Sequence, residues 1–338
     1  MPRHYIGIDL GGTNVKAGIA DSNGRVSGHV SIPTGRGGRD LSADLVIARM
    51  VEAAKLSCAK AGIKLSDASA AGILSPGQGS LSKGIIYRAA NLPLWRNVHL
   101  RAKVSKGLGL PAILENDAKA AAYGEWWVGA GKGKNLDSLF IITLGTGVGG
   151  GFVHERKVLH GAFDSATEIG HSIMVPGGDP CGCGQRGCLE VYASARYTGK
   201  RASTILAESS KVRKKSSLGK IFKNVGKVTA ADIAQHAKAG DKFALEIWNE
   251  TTHMLALACI NICHYLDPQM IVLGGGMSAA GTFLTDYVEK HLRDNWWKMT
   301  PITVKIVLAR LGNDAGVIGA AGVAKHAHET STLPPIGK

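Results

Sequence analysis

Four soft metal ligands lie close together near the middle of the chain. They are His171, Cys181, Cys183 and Cys188. Histidine and cysteine are the ligands of closed tetrahedral zinc sites, and buried free thiols would not explain four such residues in one glycine-rich loop. Because protein would fill all four positions, we expect a structural Zn²⁺ that fixes the loop carrying Glu168 and Glu190.

A first glycine turn follows an apolar run near the N-terminus. Its chemistry-bearing residues are Asp9, Gly11, Gly12, Thr13, Asn14 and Lys16. Glycines let backbone N–H groups approach a phosphate because no Cβ blocks them. Thr13 and Asn14 can add side-chain donors, and Asp9 can hold Mg²⁺ through water. The turn therefore predicts a phosphate-binding hairpin with a magnesium ligand.

A second glycine turn contains Gly145, Thr146 and Gly147. Read literally, 145–150 matches the dinucleotide fingerprint G-x-G-x-x-G, which requires a helix directly after the glycines. Here 152–159 has the pattern of a strand, a charged turn and a strand. We therefore reject a dinucleotide fold and predict a second phosphate-binding hairpin.

The elements around the two turns have the same order. Apolar runs at 5–10, 15–20 and 26–32 predict an antiparallel meander, and 138–144, 152–153 and 158–159 predict a second one. Further strands are expected at 70–74, 108–114, 270–273 and 303–308, and helices at 41–61, 118–125, 230–239, 242–266 and 315–327. The duplication predicts an α/β protein of two domains with one topology facing a cleft. We expect a smaller domain over 1–117, completed by helix 315–328, and a larger one over 118–314 that carries the zinc loop and nucleotide site.

The chain of 338 residues has a formal net charge of +14, with nine basic residues between Lys200 and Lys227. Such a stretch either attracts polyanions or forms a solvated insertion, and the latter is favoured because Phe222 is the only aromatic residue in it. We therefore expect no nucleic-acid partner. The N-terminus has no apolar signal segment, and polar residues interrupt the apolar stretch 254–273, so neither export nor a membrane partner is expected. Together with the clustered cysteines, these features predict a cytoplasmic protein.

Taken together, the motifs resemble those of the ROK family of sugar kinases, most closely its glucokinase-like members. The resemblance runs from the first glycine turn to 311–316, and Cys-Gly-Cys-Gly-x-x-Gly-Cys-Leu-Glu is its most specific signature. It implies the actin-like ATPase (ribonuclease H-like) fold, ATP as phosphoryl donor with Mg²⁺, and a hexose as acceptor, with glucose expected. The resemblance also implies a homodimer or homotetramer.

The resemblance assigns roles to individual residues. Asp117 would be the general base. The expected sugar ligands are Gly77, Asn91, Asn116, Glu168, His171 and Glu190. Gly275 and Gly276 match the segment that lies beside the adenosine. For Asp117 the alternative is an ordinary helix N-cap, since it stands between a predicted strand and a predicted helix.

Three residues depart from the family pattern near these motifs: Ser75 stands where valine is commoner, Lys119 where asparagine is usual, and Thr167 where glycine is usual. They leave open a kinase for fructose, mannose, allose or an N-acetylhexosamine. The positive charge leaves open polyphosphate as donor. A sugar-responsive repressor is the alternative outside enzymes, but its helix-turn-helix would precede the sugar domain, and the first glycine turn here already begins at Asp9.

Overall fold

The computed structural model of the chain describes residues 3–35, 41–89 and 92–338. They form two compact units. The first contains Met1–Asn135, Gly151–Ala166 and Arg310–Lys338, and the second contains Leu136–Gly150 and Thr167–Ala309.

A five-stranded sheet forms the centre of the first unit. Its strands are β1 (His4–Leu10), β2 (Asn14–Asp21), β3 (Val26–Pro33), β4 (Ala68–Leu74) and β7 (Ala112–Glu115), in the order β3-β2-β1-β4-β7. The first three strands pair antiparallel, and β4 and β7 run parallel to β1. A separate hairpin consists of β5 (Gln78–Ser80) and β6 (Ile85–Arg88).

Helices cover both faces of this sheet. They are α1 (Ala43–Ala61), α2 (Leu100–Leu108), α3 (Asp117–Trp127) and α11 (Ala315–Glu329). Ile6, Ile8 and neighbouring side chains pack with α1 and α2 in the larger core, while Tyr5 packs with α11 residues on the other face. A Cβ on Gly72 of β4 would stand 1.8 Å from the Ala320 carbonyl oxygen. Glycine is therefore required there, because the sheet and α11 approach each other at backbone distance.

The second sheet has the order β10-β9-β8-β11-β12. Its strands are β8 (Ser138–Leu144), β9 (Val148–His154), β10 (Lys157–Val158), β11 (Met270–Gly274) and β12 (Lys305–Leu308). The first three pair antiparallel and the last two run parallel to β8. The two sheets thus share one topology, as the duplicated sequence pattern predicts, and the chain passes from the second unit to the first inside β9.

Seven helices of the second unit complete the described elements: α4 (Leu189–Ala193), α5 (Ala195–Glu208), α6 (Ser210–Lys215), α7 (Leu218–Val225), α8 (Ala230–Lys238), α9 (Lys242–Leu266) and α10 (Thr282–Asn295). Short 3₁₀ turns occur at Leu65–Asp67, Ile169–His171, Gly276–Ala280 and Gly312–Asp314. Within the described ranges, no helix combines the length and apolarity that a bilayer crossing demands.

The structure corrects one local prediction. The predicted start of the strand over 108–114 was wrong. Leu108 is the last residue of helix α2, and the strand begins at Ala112, after Pro111. The basic stretch 200–227 lies mostly in helices α5, α6 and α7. Helix α3 packs along α11, and both helices lie in the first unit.

Candidate active site

Three parallel strands of the first unit end at one edge of its sheet. Asp9 is in register with Leu74 on β4, and Leu74 is in register with Glu115 on β7. The residues that follow these strands therefore emerge side by side, at the carboxyl edge where open α/β sheets bind ligands. This edge carries the first glycine turn, the Ser75–Gly77 turn and the Asn116-Asp117 pair.

The geometry at the start of helix α3 shows whether Asp117 is the N-cap of that helix or a carboxylate available for catalysis. The Asn116 side-chain oxygen accepts from the N–H groups of Ala118 and Lys119, at 3.0 Å and 3.2 Å. Asn116 is therefore the N-cap, and Asp117 is the first helical residue. The Asp117 carboxylate accepts from the Ala118 N–H at 2.8 Å, and it remains accessible to solvent. Its carboxylate is not needed as the cap, which leaves it available for chemistry, and the Asn116 amide nitrogen can still donate outward.

Two carboxyl groups at this edge, those of Asp9 and Asp117, have raised pKa values. Desolvation raises the pKa of Asp117, and the backbone N–H of Ala118 offsets only part of that effect. Desolvation also raises the pKa of Asp9, the charge of Lys16 opposes it, and the Asp117 charge adds to it. The Asp117 charge disfavours a second anion at Asp9, and a cation beside the two carboxylates would relieve that repulsion. The residues therefore fit the Mg²⁺ expected from the sequence.

The first glycine turn is a closed hairpin loop. The Gly11 N–H donates to the Asn14 carbonyl at 2.9 Å, and the buried Thr34 hydroxyl donates to the Gly11 carbonyl at 2.8 Å. Gly12, Thr13 and Asn14 are exposed at its tip. Lys16 lies opposite Asp9 in the β1–β2 register. The donors predicted for a phosphate thus face outward on a fixed loop.

The second unit repeats this arrangement at the carboxyl ends of β8 and β11. These parallel strands are in register, with Gly274 opposite Thr143, so Gly145–Gly147 and Gly275–Gly276 emerge together. Gly275 has φ +80°, and a Cβ there would stand 2.5 Å from the Leu144 carbonyl oxygen. Only glycine allows the two turns to approach so closely.

A cavity of about 1090 Å³ opens beside these turns. The sequence-predicted residues Gly145, Thr146 and Gly276 line it together with parts of α5, α8 and the 3₁₀ turn 276–280. Its cationic lining residues are Arg196, Lys200, Lys227 and Lys238, and no carboxylate is among the described residues that line it. The sequence analysis missed this helical lining, because its residues are scattered along amphipathic helices and form no motif.

The predicted zinc ligands converge in the second unit. One donor atom from each of His171, Cys181, Cys183 and Cys188 lies within 4.8 Å of all the others. His171 Nδ1 is 3.8 Å from the Cys181 sulfur, and the Cys183 and Cys188 sulfurs are 3.7 Å apart. A tetrahedron with Zn–S bonds of about 2.3 Å has edges of about 3.8 Å. The cluster therefore has the dimensions that a zinc ion requires.

Glu190 links the metal loop to the second glycine turn. One carboxylate oxygen accepts the Val148 N–H at 3.1 Å, and the other is 3.9 Å from the Cys181 sulfur. Glu168 is exposed and directly precedes the 3₁₀ turn that holds His171. With Nδ1 of His171 facing the thiols, its Nε2 is free to face a ligand.

Two other expected sugar contacts stand apart from these. Gly77 follows β4 at the edge of the first sheet, with φ +112°. Asn91 lies outside the described residues.

Comparison with known proteins gives one consistent result. A sequence profile of the ROK family matches residues 5–327. A glucokinase of Halalkalibacterium halodurans is 37% identical over 324 residues, covering 96% of this chain and 95% of the relative. Among solved structures, a ROK hexokinase from Thermus thermophilus superposes with a TM-score of 0.80 at 29% identity, covering 97% of this chain and 99% of its own.

A third relative was solved with ligands. It is a ROK family glucokinase from Streptomyces griseus in complex with glucose and AMPPNP, with a TM-score of 0.76, 31% identity and coverage of 96% and 99% of the two chains. The fold shared with these structures is the actin-like ATPase fold. The chain belongs to the ROK family.

Proposed function

We propose that this protein is an ATP-dependent glucokinase, which converts glucose and ATP into glucose 6-phosphate and ADP. Similarity to glucokinases along nearly the whole chain supports the reaction. The observation that carries the chemistry is the Asp117 carboxylate, which is accessible, is not used as a helix cap and has a raised pKa. A cytoplasmic location follows from this proposal, since ATP is the donor.

Asp117 acts as the general base in this proposal. The sugar hydroxyl oxygen attacks the γ-phosphorus, the bond from phosphorus to the bridging oxygen of ADP breaks, and the hydroxyl proton passes to the carboxylate. A base whose pKa lies nearer to the working pH transfers protons more effectively, so the raised pKa of Asp117 suits this role. When bound, Mg²⁺ neutralises phosphate charge, and Asp9 would hold it.

The sugar ligands are proposed among the polar groups that the family resemblance assigns. Asn116 offers its amide nitrogen, since its oxygen is committed to the helix cap. Glu168 and Glu190 offer carboxylates, His171 offers Nε2, and the backbone at Gly77 adds a further contact. Groups of this kind bind the several hydroxyls of an unmodified hexose, and each would cost about 1–3 kcal/mol if left unpaired by a deoxygenated substrate.

The nucleotide is proposed to occupy the cavity of the second unit. The turns at Gly145–Gly147 and Gly275–Gly276 present backbone N–H groups to phosphates, and the four lining cations favour a polyanion. The same cations also suit inorganic polyphosphate, which is the second donor to test.

A structural zinc ion is proposed at His171, Cys181, Cys183 and Cys188. It would hold the segment between Glu168 and Glu190 in place by bridging its two ends. No step of the transfer depends on it, since all four ligands come from protein.

The direct test is Asp117→Asn, measured by coupled spectrophotometric phosphorylation of glucose. We expect kcat to fall by at least about a hundredfold, the scale of losing a general base, with the unfolding midpoint preserved. Asp44→Asn is the matched control, because Asp44 is an exposed carboxylate of the same unit at the start of α1. Near-normal turnover in folded Asp117→Asn would remove Asp117 from the mechanism.

A further inference from the structure

Helix α3 carries a buried lysine two residues after the proposed base. Lys119 is 1% exposed, and among the described residues it is the only lysine so fully enclosed. Its ammonium donates to the backbone carbonyl of Asp164 at 2.8 Å. A buried ammonium is unfavourable unless it makes strong hydrogen bonds, so this contact fixes the position of the Asp164 backbone.

Asp164 is itself tied to a second part of the same unit. One oxygen of its carboxylate accepts from the N–H groups of Leu81 and Ser82, at 2.9 Å and 3.4 Å, and from the Ser80 hydroxyl at 3.3 Å. These residues form the turn between β5 and β6. Asp164 also has φ +60°, a conformation that non-glycine residues rarely adopt. Its contacts hold it in that conformation.

The same segment is anchored at its other end. His160 Nε2 pairs with the buried Glu115 carboxylate at 2.7 Å, and the other Glu115 oxygen accepts the Asn116 N–H at 2.9 Å. The Ala166 N–H donates to the His160 carbonyl at 2.9 Å. Segment 160–166 is therefore fixed to the residues on either side of the helix α3 cap.

A second strained residue follows this segment directly. Thr167 has φ +67°, which is an outlier for a β-branched side chain, and glycine is usual at this position in the family that the sequence resembles. Glu168 comes next. An unfavourable backbone conformation persists only when neighbouring contacts determine it.

We propose that Lys119 and Asp164 form a clamp that holds the backbone leading into Thr167, and that both are positioning residues for the sugar ligand Glu168. The expected change in the KM for glucose rests on the proposed glucokinase function, whereas the expected change in the backbone before Glu168 does not. Lys119 fixes the Asp164 carbonyl, the Asp164 carboxylate fixes the β5–β6 turn, and the strained Thr167 presents Glu168 in one orientation. Loss of either clamp residue lets the strain relax and displaces Glu168.

The test is steady-state kinetics on Lys119→Met and Asp164→Ala. We expect the KM for glucose to rise about tenfold or more in each, while kcat and the KM for ATP stay within about threefold. Adding Thr167→Gly to Asp164→Ala should restore the KM for glucose, because glycine adopts positive φ without the clamp. Asp164→Asn should lie close to wild type, since asparagine tolerates this conformation and keeps an acceptor oxygen.

The controls are Lys103→Met and Asp44→Ala, which break an exposed lysine–aspartate pair of 2.8 Å in the same unit. They should leave both KM values unchanged. A KM for glucose within threefold of wild type in the folded clamp variants overturns the proposal. So does a parallel rise in both KM values that Thr167→Gly fails to reverse, which would indicate general loss of structure.

Amide hydrogen exchange over 159–168 separates this inference from the proposed function, because it needs no substrate. Exchange should accelerate in Asp164→Ala and slow again when Thr167→Gly is added. A wild-type protein that does not phosphorylate glucose but shows this pattern would refute the glucokinase proposal and support the clamp. Unchanged exchange with an active wild type would refute the clamp alone.

Discussion

Glu125 provides the sharpest stability prediction in the first unit. Its side chain is 0% exposed at the end of helix α3. One carboxylate oxygen accepts the N–H groups of Arg310 and Leu311, both at 2.8 Å, and the other accepts the Ala130 N–H at 2.7 Å. This carboxylate therefore fixes the segment that leads into helix α11, the helix that covers one face of the sheet.

The perturbation is Glu125→Gln, which keeps the shape and removes the charge. The amide oxygen can still serve Arg310 and Leu311, but the amide NH₂ then faces the Ala130 N–H. An orphaned buried N–H costs about 1–3 kcal/mol, and each of the two remaining bonds loses about 1 kcal/mol when its acceptor becomes neutral. Relief of the buried charge offsets part of this, so we expect a net loss of about 2–4 kcal/mol.

The assay is differential scanning calorimetry of the intact chain. A loss of this size should lower the midpoint of the first unit by roughly 4–16 °C for a domain of about 150–250 residues. Glu52→Gln is the control, since Glu52 is 47% exposed and pairs with Arg49 on its own helix, and it should shift the midpoint by less than about 2 °C. If Glu125→Gln melts within 2 °C of wild type, the three hydrogen bonds do not hold α11 as argued.

Three further predictions concern the metal, the substrates and pH. Purified protein should contain close to one equivalent of zinc by elemental analysis, and Cys183→Ala should remove it and weaken glucose affinity; a metal-free protein with full activity would contradict the zinc proposal. Across a panel of hexoses and N-acetylhexosamines with ATP or polyphosphate, glucose with ATP and Mg²⁺ should give the highest kcat/KM. If another pair of sugar and donor has a kcat/KM at least tenfold higher, a difference of about 1.4 kcal/mol, the proposed specificity is wrong, but the protein is still a sugar kinase. Burial lowers the pKa of His160, but the hydrogen bond and charge of Glu115 outweigh it and leave the pKa raised. The difference in unfolding free energy between wild type and His160→Gln should therefore be largest below about pH 6.5 and should decrease as the pH rises through the pKa of folded His160. A difference that increases toward high pH would contradict this pairing.

The sequence predicted the parts of this protein that depend on local pattern. Apolar runs ending in glycine identified β1 and β8, and their order predicted the shared topology of the two sheets. The ligand spacing predicted a cluster that the structure brings within 4.8 Å. Each of these signals is carried by residues that are neighbours along the chain, so no knowledge of tertiary contacts was needed.

Features that depend on distant residues were not predictable in this way. Helix α2 was missed because its nine residues contain few strong markers and precede Gly109 and Pro111, which dominate the local pattern. The cavity lining was missed because Lys200, Lys227 and Gln235 come together only when α5 and α8 pack beside the turns. The assignment of the helix cap to Asn116, which frees Asp117, also required the geometry of the first turn.

The departures from the family pattern illustrate why single positions are a poor guide to substrate choice. Lys119 and Thr167 are separated by 47 intervening residues, yet the ammonium of Lys119 holds the carbonyl of Asp164, three residues before Thr167. A lysine at 119 without its acceptor would leave a buried charge unpaired, and the threonine at 167 is held at positive φ by the fixed preceding segment together with its own hydroxyl, which donates to the Gly150 carbonyl at 3.1 Å. The two replacements therefore depend on one structural condition, the position of segment 160–166. Sugar specificity should then depend on the position of this segment and not on either residue alone. Exchanging both Lys119 and Thr167 for the usual family residues is therefore a stronger test of specificity than exchanging one of them.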